Sequence, residues 1–481
     1  MTENMKSLAK NSLFNAMYQV LNIIFPLISS IYVARVLLPE GVGRVAYAQN
    51  IAAYFVTAAA LGIPTVGLRE ISNARDDKQK VSNIFSELSI MNICSTFLAI
   101  AVYSILVFCN SAFRADYQLY LATGLVILFN IINIDWLYQG HEEYVYIVVR
   151  SIAVKALSLL ALFLFVRNKY DYVAYAAISS LAVCGNYLFN VVRARKYVTF
   201  QLHGLNFKRH IKPIFFFAGT LFFNAIYSKT DATMLGIIVG EESVGYYSYA
   251  HKVLQVGISF CAAVTSAFLP RLSYYFQKDK NQFYTLVARG VQIISFLAVP
   301  AATGLFLLAP EAIVMLFGDK FLPAAQTLRI FAVLIIVFAF GNLLCYQMMI
   351  CTENEKKYAG ILACAAVINV VLNFVLIPKY QQDGAALASV LTELFINIVV
   401  GMYFVRLLRI KFDWRAIGQA MFSSGIMAIS IILVKKYVKG NLLSFVCSVS
   451  IGTVIYVVMN LLLKNQLVRD AVRIIRRKLL R

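Results

Sequence analysis

The sequence predicts an all-α polytopic membrane protein with about fourteen transmembrane helices, and three observations predict it. The 481 residues are 60% hydrophobic and 14% charged, with a mean hydropathy of +0.74, whereas a soluble domain carries about 25% charged residues. Apolar runs recur along the whole chain at the roughly 20-residue length that crosses a hydrocarbon layer about 30 Å thick. The polar segments between them are short. The longest, from Arg193 to Lys212, is too short to fold as a separate domain. A water-soluble enzyme is excluded.

Apolar runs set against polar punctuation place helices near 11–34, 45–68, 84–109, 118–138, 145–166, 173–192 and 213–239. Further helices follow near 245–269, 284–309, 325–350, 358–377, 385–405, 416–434 and 442–463. The opening MTENMKSLAK leads into an apolar stretch too long for a signal-peptide core and without a clear cleavage site, so it reads as a retained first span. The eight cysteines contain no CxxC and fall almost entirely in apolar runs, so they read as small buried hydrophobes. The four histidines form no metal-ligand pattern. No metal and no organic cofactor is expected.

Charge sets the orientation. The chain carries 44 Lys and Arg against 23 Asp and Glu, a net charge of +21. The segments on the N-terminal side of the predicted spans hold 28 of the basic residues and the opposite segments 10. Positive residues accumulate on the cytoplasmic side, so both termini are expected in the cytoplasm. The surplus is then a topology signal and no sign of a nucleic-acid partner. Trp136 and Trp414 fall at predicted cytoplasmic boundaries, where amphipathic rings are favoured. The tail KNQLVRDAVRIIRRKLLR fits a basic amphipathic helix on anionic headgroups, or simply a charged solvated end.

An offset of 202 residues pairs Glu40 with Glu242, Val42 with Val244, Gly43 with Gly245, Tyr47 with Tyr249 and Ala48 with Ala250. It also pairs Arg69 with Arg271, Asp77 with Asp279 and Lys78 with Lys280. The offset corresponds to six helices, an even number, so the two halves have the same membrane orientation. This is the parallel-repeat arrangement of transporters, with a cavity expected between two lobes. The expected divisions are an N-lobe over 1–200, a C-lobe over 201–410, two extra helices over 411–463, and a basic tail over 464–481.

Charges inside spans each need a reason, because one near the bilayer centre costs about 2.5–3.5 kcal/mol on insertion scales. Glu87, Asp135, Arg150, Arg289 and Arg329 lie within about two turns of a predicted end, where snorkelling carries a charge to the interface. Lys155, Lys229, Asp231, Lys252 and Glu393 lie deeper, and face a pathway or pair structurally. Asp231 and Lys252 flank the turn near Glu242 at similar depth, so they are expected within reach of one another, with Lys229 and His251 nearby. The candidate cargo-binding cations are Lys155, Lys229, Lys252, Arg150, Arg35, Arg289 and Arg329, which make the cavity net basic and suited to an anionic guest. Asp231, Glu393 and Asp135 are candidates for ion coupling or charge pairing. Pro26, Pro64 and Pro300 are candidate hinges or packing kinks. Asn15, Gln19, Asn22, Asn224, Asn369 and Asn373 either line a cavity or join helices.

Four segments together carry a family likeness. They are KNSLFNAMYQVLNIIFPLISSIYVARVLLPEGVGRVAYA, DWLYQGHEEYVYIVVRSIAVKALSLLALFLFV, SKTDATMLGIIVGEESVGYYSYAHKV and NVVLNFVLIPKYQQDGAALASVLTE. The chain resembles the oligosaccharide flippases of the Wzx type, in the MATE-like superfamily of multidrug, oligosaccharidyl-lipid and polysaccharide exporters (MOP). The resemblance implies two six-helix lobes followed by two further helices, alternating access, and a non-enzymatic transport role. The implied cargo is an oligosaccharide repeat unit on undecaprenyl diphosphate, carried across the bacterial inner membrane for O-antigen, capsule or another surface glycan. It implies membrane lipids as partners, glycosyltransferases and a glycan polymerase as functional neighbours, and helices 13 and 14 as a place for the polyprenyl tail. Coupling to an H⁺ or Na⁺ gradient or to the membrane potential stays open. A MATE-type multidrug or cation antiporter would favour an acidic cavity, and a polytopic glycan polymerase would need a larger external loop. Both fit these residues less well.

Overall fold

A computed structural model describes residues 2–408, 414–438, 440–469 and 473. The side chains of Asn15 and Gln19 and most of the expected tail helix, 470–472 and 474–481, lie outside the described residues. The elements among the described residues are helical. They run α1 (Thr2–Ala60), α2 (Ile63–Ala74), α3 (Lys78–Cys109), α4 (Ser111–Ala115), α5 (Tyr117–Phe129), α6 (Asp135–Gly140), α7 (Tyr144–Phe165), α8 (Tyr172–Ala194) and α9 (Lys208–Ile238). They continue as α10 (Glu241–Ser266), α11 (Leu269–Lys278), α12 (Lys280–Phe317), α13 (Ala324–Gly341), α14 (Met348–Cys351), α15 (Glu355–Leu408), α16 (Trp414–Tyr437) and α17 (Asn441–Leu462). Eleven segments among the described residues are long and apolar enough to cross a membrane, and Tyr117–Ile132 is a shorter apolar one. The protein is a multi-pass membrane protein.

Two helices are too long for one crossing. At 1.5 Å per residue, the 59 residues of α1 and the 54 of α15 would each extend about 80–90 Å. Both break at a residue with positive φ: Leu38, just before Pro39 (φ 62°), and Gln381, shortly after Pro378 (φ 49°). The second break reverses the chain. A Cβ on Gly384 would lie 2.3 Å from the carbonyl oxygen of Leu376, eight residues earlier, whereas a straight helix would separate them by about 12 Å. Only glycine fits there, so Gly384→Ala is expected to abolish correct folding, read as loss of monodisperse protein after detergent extraction.

The chain divides into two compact units, Met1–Gly236 and Ile237–Arg481. The repeat is visible within each. Asp77 caps α3 by accepting the N–H of Lys80 (3.0 Å), and Asp279 caps α12 by accepting those of Asn281 (2.9 Å) and Gln282 (3.1 Å). The paired residues Val42 and Val244, Tyr47 and Tyr249, and Ala48 and Ala250 are all buried. Large apolar side chains such as Phe97, Leu98, Leu157, Phe216 and Phe223 are exposed, as a lipid-facing surface requires.

The first unit's core gathers Ile63, Val66, Ile71, Leu88, Trp136, Tyr138 and Ile147. Trp136, expected at the headgroup boundary, is 2% exposed and packs 5.8 Å from Phe85 with Gly67 beneath its ring. It is a core residue; Trp414, at 73%, is the exposed one. The helix expected over 118–138 is broken, and the break explains the change for Trp136. A 3₁₀ turn at Asn130–Ile132 ends α5, and Asp135 opens the separate α6. Asn92 Nδ2 donates to the Asn130 carbonyl (2.6 Å), while Asn130 Nδ2 donates to Asn92 Oδ1 and Thr96 Oγ1 (both 3.0 Å). Irregular backbone inside a membrane survives where side chains meet its polar groups.

Pro64, expected inside a span, instead starts α2: α1 ends at Ala60, and Gly62 turns the chain in the left-handed region (φ 76°). A missing N–H costs nothing in a first turn, so Pro64 does not kink a span. A Cβ on Gly62 would also sit 2.8 Å from the backbone nitrogen of Ala218. Beyond α7, Asp171 accepts the N–H groups of Arg167 (2.9 Å) and Asn168 (2.8 Å). These bonds favour its charged form and hold its carboxyl below the usual carboxylate range.

Candidate functional site

Several charged side chains of the spans are met by opposite charges. Arg150 on α7 is buried, and its Nη2 lies 3.2 Å from Asp135 Oδ1 at the start of α6. Its Nε donates to Asn186 Oδ1 (3.1 Å), its Nη1 donates to Asn190 Oδ1, and Asn190 Nδ2 donates to Asp135 Oδ1. One turn on, Arg193 meets Glu143 (2.7 Å) and lies 4.1 Å from the Tyr146 ring centroid. Buried ions persist where charge and hydrogen bonds are both satisfied, and Arg150 sits in such a network.

Glu87, expected to reach the interface by snorkelling, is 1% exposed. The helix carrying it starts at Lys78, earlier than expected, which places Glu87 nine residues in. It accepts Arg209 Nη2 (2.5 Å) and the N–H of Asn206 (2.7 Å), and its Oε2 is 2.7 Å from His210 Nε2. Its charge is therefore met inside the protein.

The remaining lysines differ. Lys155 Nζ donates to Asn22 Oδ1 (2.6 Å) and lies 5.8 Å from the Phe25 ring centroid. Lys229 on α9 is half-buried, and among the described residues its ammonium has no ion-pair or hydrogen-bond partner. Asp231, two residues on, is buried, but a two-residue step turns about 200° around a helix. Lys229 and Asp231 thus face opposite sides of α9. Asp231 belongs to the first unit and Lys252 to the second. Lys252 Nζ sits 4.0 Å from the Tyr249 ring centroid, a cation–π contact. His251 stacks instead on Tyr247, centroids 6.0 Å apart.

Arg35 and Arg289 are exposed, and Arg329 is half-buried with Nη1 3.3 Å from Gln326 Oε1. Pro26 lies within α1 and Pro300 within α12. Asn369 and Asn373 are buried and bond to each other (3.1 Å), while Asn224 is exposed.

Glu393 lines a cavity of about 220 Å³ with Asn342, Tyr346, Tyr358 and Asn397. Its wall is a π-helical turn, Asn342–Gln347, a local defect frequent at functional sites. Asn397 Nδ2 donates to the Val337 carbonyl (2.7 Å), and Thr265 Oγ1 donates to Asn342 Oδ1 (2.7 Å). A Cβ on Gly341 would lie 2.3 Å from Asn397 Oδ1, so glycine admits the amide. Asn342, Asn397, Tyr346 and Tyr358 were missed in the sequence. The available signal was a Gly-Asn pair interrupting an apolar helix.

An apolar groove of about 510 Å³ runs between α12, α16 and α17. Phe296, Pro300, Gly304, Leu308, Ala312 and Leu316 form its α12 wall at four-residue intervals, which keeps them on one face. Pro300 cannot donate to the carbonyl of Phe296, and the Tyr456 hydroxyl of α17 takes that place at 2.8 Å. Tyr456→Phe is expected to lower stability by about 1–3 kcal/mol, the penalty of an unsatisfied buried acceptor, measured by thermal unfolding in detergent. At the groove's other end, Lys435 pairs with Glu311 (2.7 Å) and caps the Leu307 carbonyl (2.9 Å).

A family model described as "Polysaccharide biosynthesis protein" matches residues 8–276, more than half of the chain. The chain belongs to this family, as a Wzx-type flippase of the MOP exporter superfamily. A second family model, "Lipid II flippase MurJ", matches residues 164–452 of the flippase. A protein of Escherichia coli (strain K12), whose name is that of an O-antigen transporter, is 24% identical over 408 residues, covering 84% of this flippase and 98% of that relative. Among solved structures, a lipid II flippase MurJ in an inward closed conformation aligns with a TM-score of 0.66 at 14% identity, over 94% of the flippase and 100% of that chain. An inward-facing multidrug resistance MATE family transporter aligns with the same TM-score at 14% identity, over 80% and 94%. The flippase therefore has the MATE-like fold and is a transporter, not an enzyme.

Proposed function

We propose that this flippase carries oligosaccharide repeat units on undecaprenyl diphosphate from the cytoplasmic to the outer face of a bacterial inner membrane, by alternating access, for surface polysaccharide biosynthesis. The observation that carries the reading is Lys229, a half-buried ammonium on a spanning helix with no neutralising partner among the described residues. A charge so placed needs a guest, and a diphosphate supplies one. The O-antigen transporter name of the E. coli relative and the lipid II flippase family model support a lipid-linked glycan as cargo.

Lys155 and Lys229 in the first unit and Lys252 in the second serve the translocation path. Arg150 holds Asp135 instead. The sugar hydroxyls and diphosphate cannot cross hydrocarbon unaided, because they would lose their water without replacement. Fixed cations offset that loss, while the prenyl tail stays among apolar groups in the α12–α16–α17 groove. An inside-negative potential favours outward movement of negative charge by about 2.3 kcal/mol per charge per 100 mV. Where a cation is coupled, Glu393 in its polar cavity takes it as H⁺ or Na⁺. Fourteen crossings follow if α1 and α15 each cross twice and Tyr117–Ile132 crosses once, an even number that keeps both termini on one side, and the basic residues concentrated there make the cytoplasm the side we assign. Glycosyltransferases supply the unit and a polymerase receives it.

The test is deletion of the gene in its host, with mass spectrometry of undecaprenyl-linked intermediates and assignment of the membrane face holding them. A complete repeat unit accumulating on the cytoplasmic face is expected. Finished but unpolymerised units on the outer face would overturn the reading in favour of a polymerase. Unchanged lipid-linked glycans with altered sensitivity to cationic compounds would point to a drug exporter. Glu393→Gln is expected to remove the dependence of transport on an imposed H⁺ or Na⁺ gradient, while glycan delivery driven by the potential alone persists.

A further inference from the structure

One turn beyond the apolar groove, α12, α16 and the residues that follow α17 line a pocket of opposite character. It has a volume of about 430 Å³ and is lined by Gln292, Arg415, Gln419, Lys464, Asn465, Gln466, Arg469 and Arg473. Four of these side chains are cationic and none is acidic. Among the described residues none of the four has an ion-pair partner. Gln292 lies four residues before Phe296, the first α12 residue of the groove, so the basic pocket and the groove are about 6 Å apart along that helix.

The pocket is built rather than a loose run of basic residues. Lys464 adopts a left-handed backbone (φ 55°) at the end of α17, a conformation costly for a residue with a side chain and one that persists where its surroundings enforce it. Those surroundings are on α16: Gln419 Nε2 donates to the Leu463 carbonyl (2.9 Å), and Asn465 Nδ2 donates to Gln419 Oε1 (3.2 Å). Asn465 is 4% exposed, and its Oδ1 accepts the N–H of Leu467 (3.0 Å). A helical turn over 466–469 follows, and Arg469 and Arg473 line the pocket together with Arg415.

We propose that this pocket is a docking site for the phosphate head of a polyprenyl phosphate or diphosphate whose tail lies in the adjoining groove. It would be a loading position outside the translocation path. The proposal rests on the flippase reading above, and on the charge distribution that puts this end of the helices in the cytoplasm. Two features select the prenyl lipid over a glycerophospholipid. The groove's α12 wall runs from Phe296 to Leu316, about 30 Å at 1.5 Å per residue, which is the full hydrocarbon thickness. An acyl chain anchored at one face ends near the middle, whereas a long prenyl chain fills the whole length. The four cations, which have no ion-pair partner among the described residues, also match a phosphate group carrying up to three negative charges better than a phosphodiester carrying one.

The experiment measures binding of undecaprenyl phosphate to the full-length protein in phosphatidylcholine nanodiscs by native mass spectrometry. The comparison is the wild type against the triple variant Arg415→Ala, Arg469→Ala and Arg473→Ala. Affinity is expected to fall about 100-fold, roughly fivefold per arginine, with thermal unfolding unchanged. Gly304→Leu, which fills open space in the groove, is expected to weaken binding without altering charge. Undecaprenol, with the same tail and no phosphate, is expected to bind wild type and triple variant equally. Unchanged affinity in a well-folded triple variant would overturn the docking site alone. Equal competition by phosphatidylglycerol would show a general anionic-lipid surface and overturn it too. A wild type that binds no undecaprenyl phosphate at all would count against the polyprenyl cargo itself.

Discussion

Lys229→Ala is expected to reduce delivery of complete lipid-linked repeat units to the outer face by about 10–100-fold, with normal amounts of protein in the membrane. The magnitude follows from removing one charge-assisted hydrogen bond, worth about 1.5–3 kcal/mol, where 1.4 kcal/mol is tenfold. The ammonium is half-buried and has no partner among the described residues, so its removal leaves no orphaned carboxylate and stability should hold or rise. Lys252→Ala is expected to lose transport similarly, with the Tyr249 ring then lacking its cation. Lys229→Arg keeps the charge and should retain most transport, while Lys229→Met should not. The readout is the fraction of undecaprenyl-linked units on each face, in a deletion host complemented with each variant. A well-inserted Lys229→Ala that delivers units at the wild-type rate would remove this residue from the path.

Arg150→Met and Asp135→Leu behave in the opposite way. Each is expected to destabilise the protein by about 3–5 kcal/mol, because removing one partner strands the other as a buried charge. The Arg150 side chain is 3% exposed and that of Asp135 22%, so water relieves stranded Asp135 more readily than stranded Arg150. Asp135→Leu should therefore be the more damaging change, and Asn186 and Asn190 lose part of their network in both. The double variant should recover part of the stability, since it strands neither charge. Denaturant unfolding in detergent measures the energies, and transport normalised to folded protein separates the roles. A stable Arg150→Met that fails to transport would return Arg150 to the cargo path.

The contrast between these residues shows what the primary structure can disclose. Lys229 and Arg150 look alike in sequence, each a basic residue in an apolar run. Arg150 is met by Asp135, 15 residues away, and by Asn190, 40 residues away. No local pattern distinguishes a cation with such partners from one without them. Glu87 was misplaced for a related reason. Apolar windows begin where hydrophobicity begins, whereas α3 starts at its cap, Asp77, through the polar turn KQK. The same polar first turn extends α12 back to Lys280. Trp136 followed the break at Asn130–Asn133, which the side chains of Asn92 and Thr96 on α3 help to satisfy.

Membrane insertion, helical class, the repeat and the family were determined by the sequence itself. These depend on composition, on span length against bilayer thickness, and on residue-by-residue likeness, and all are properties of a linear string. Tertiary structure decided which charges are neutralised, that Glu393 sits in a polar cavity behind a π-helical turn, and that basic side chains from α16 and from beyond α17 converge below one apolar groove. Charge pairing and cavity formation act over a few ångströms in space between residues tens of positions apart, and the strength of a buried charge depends on those neighbours.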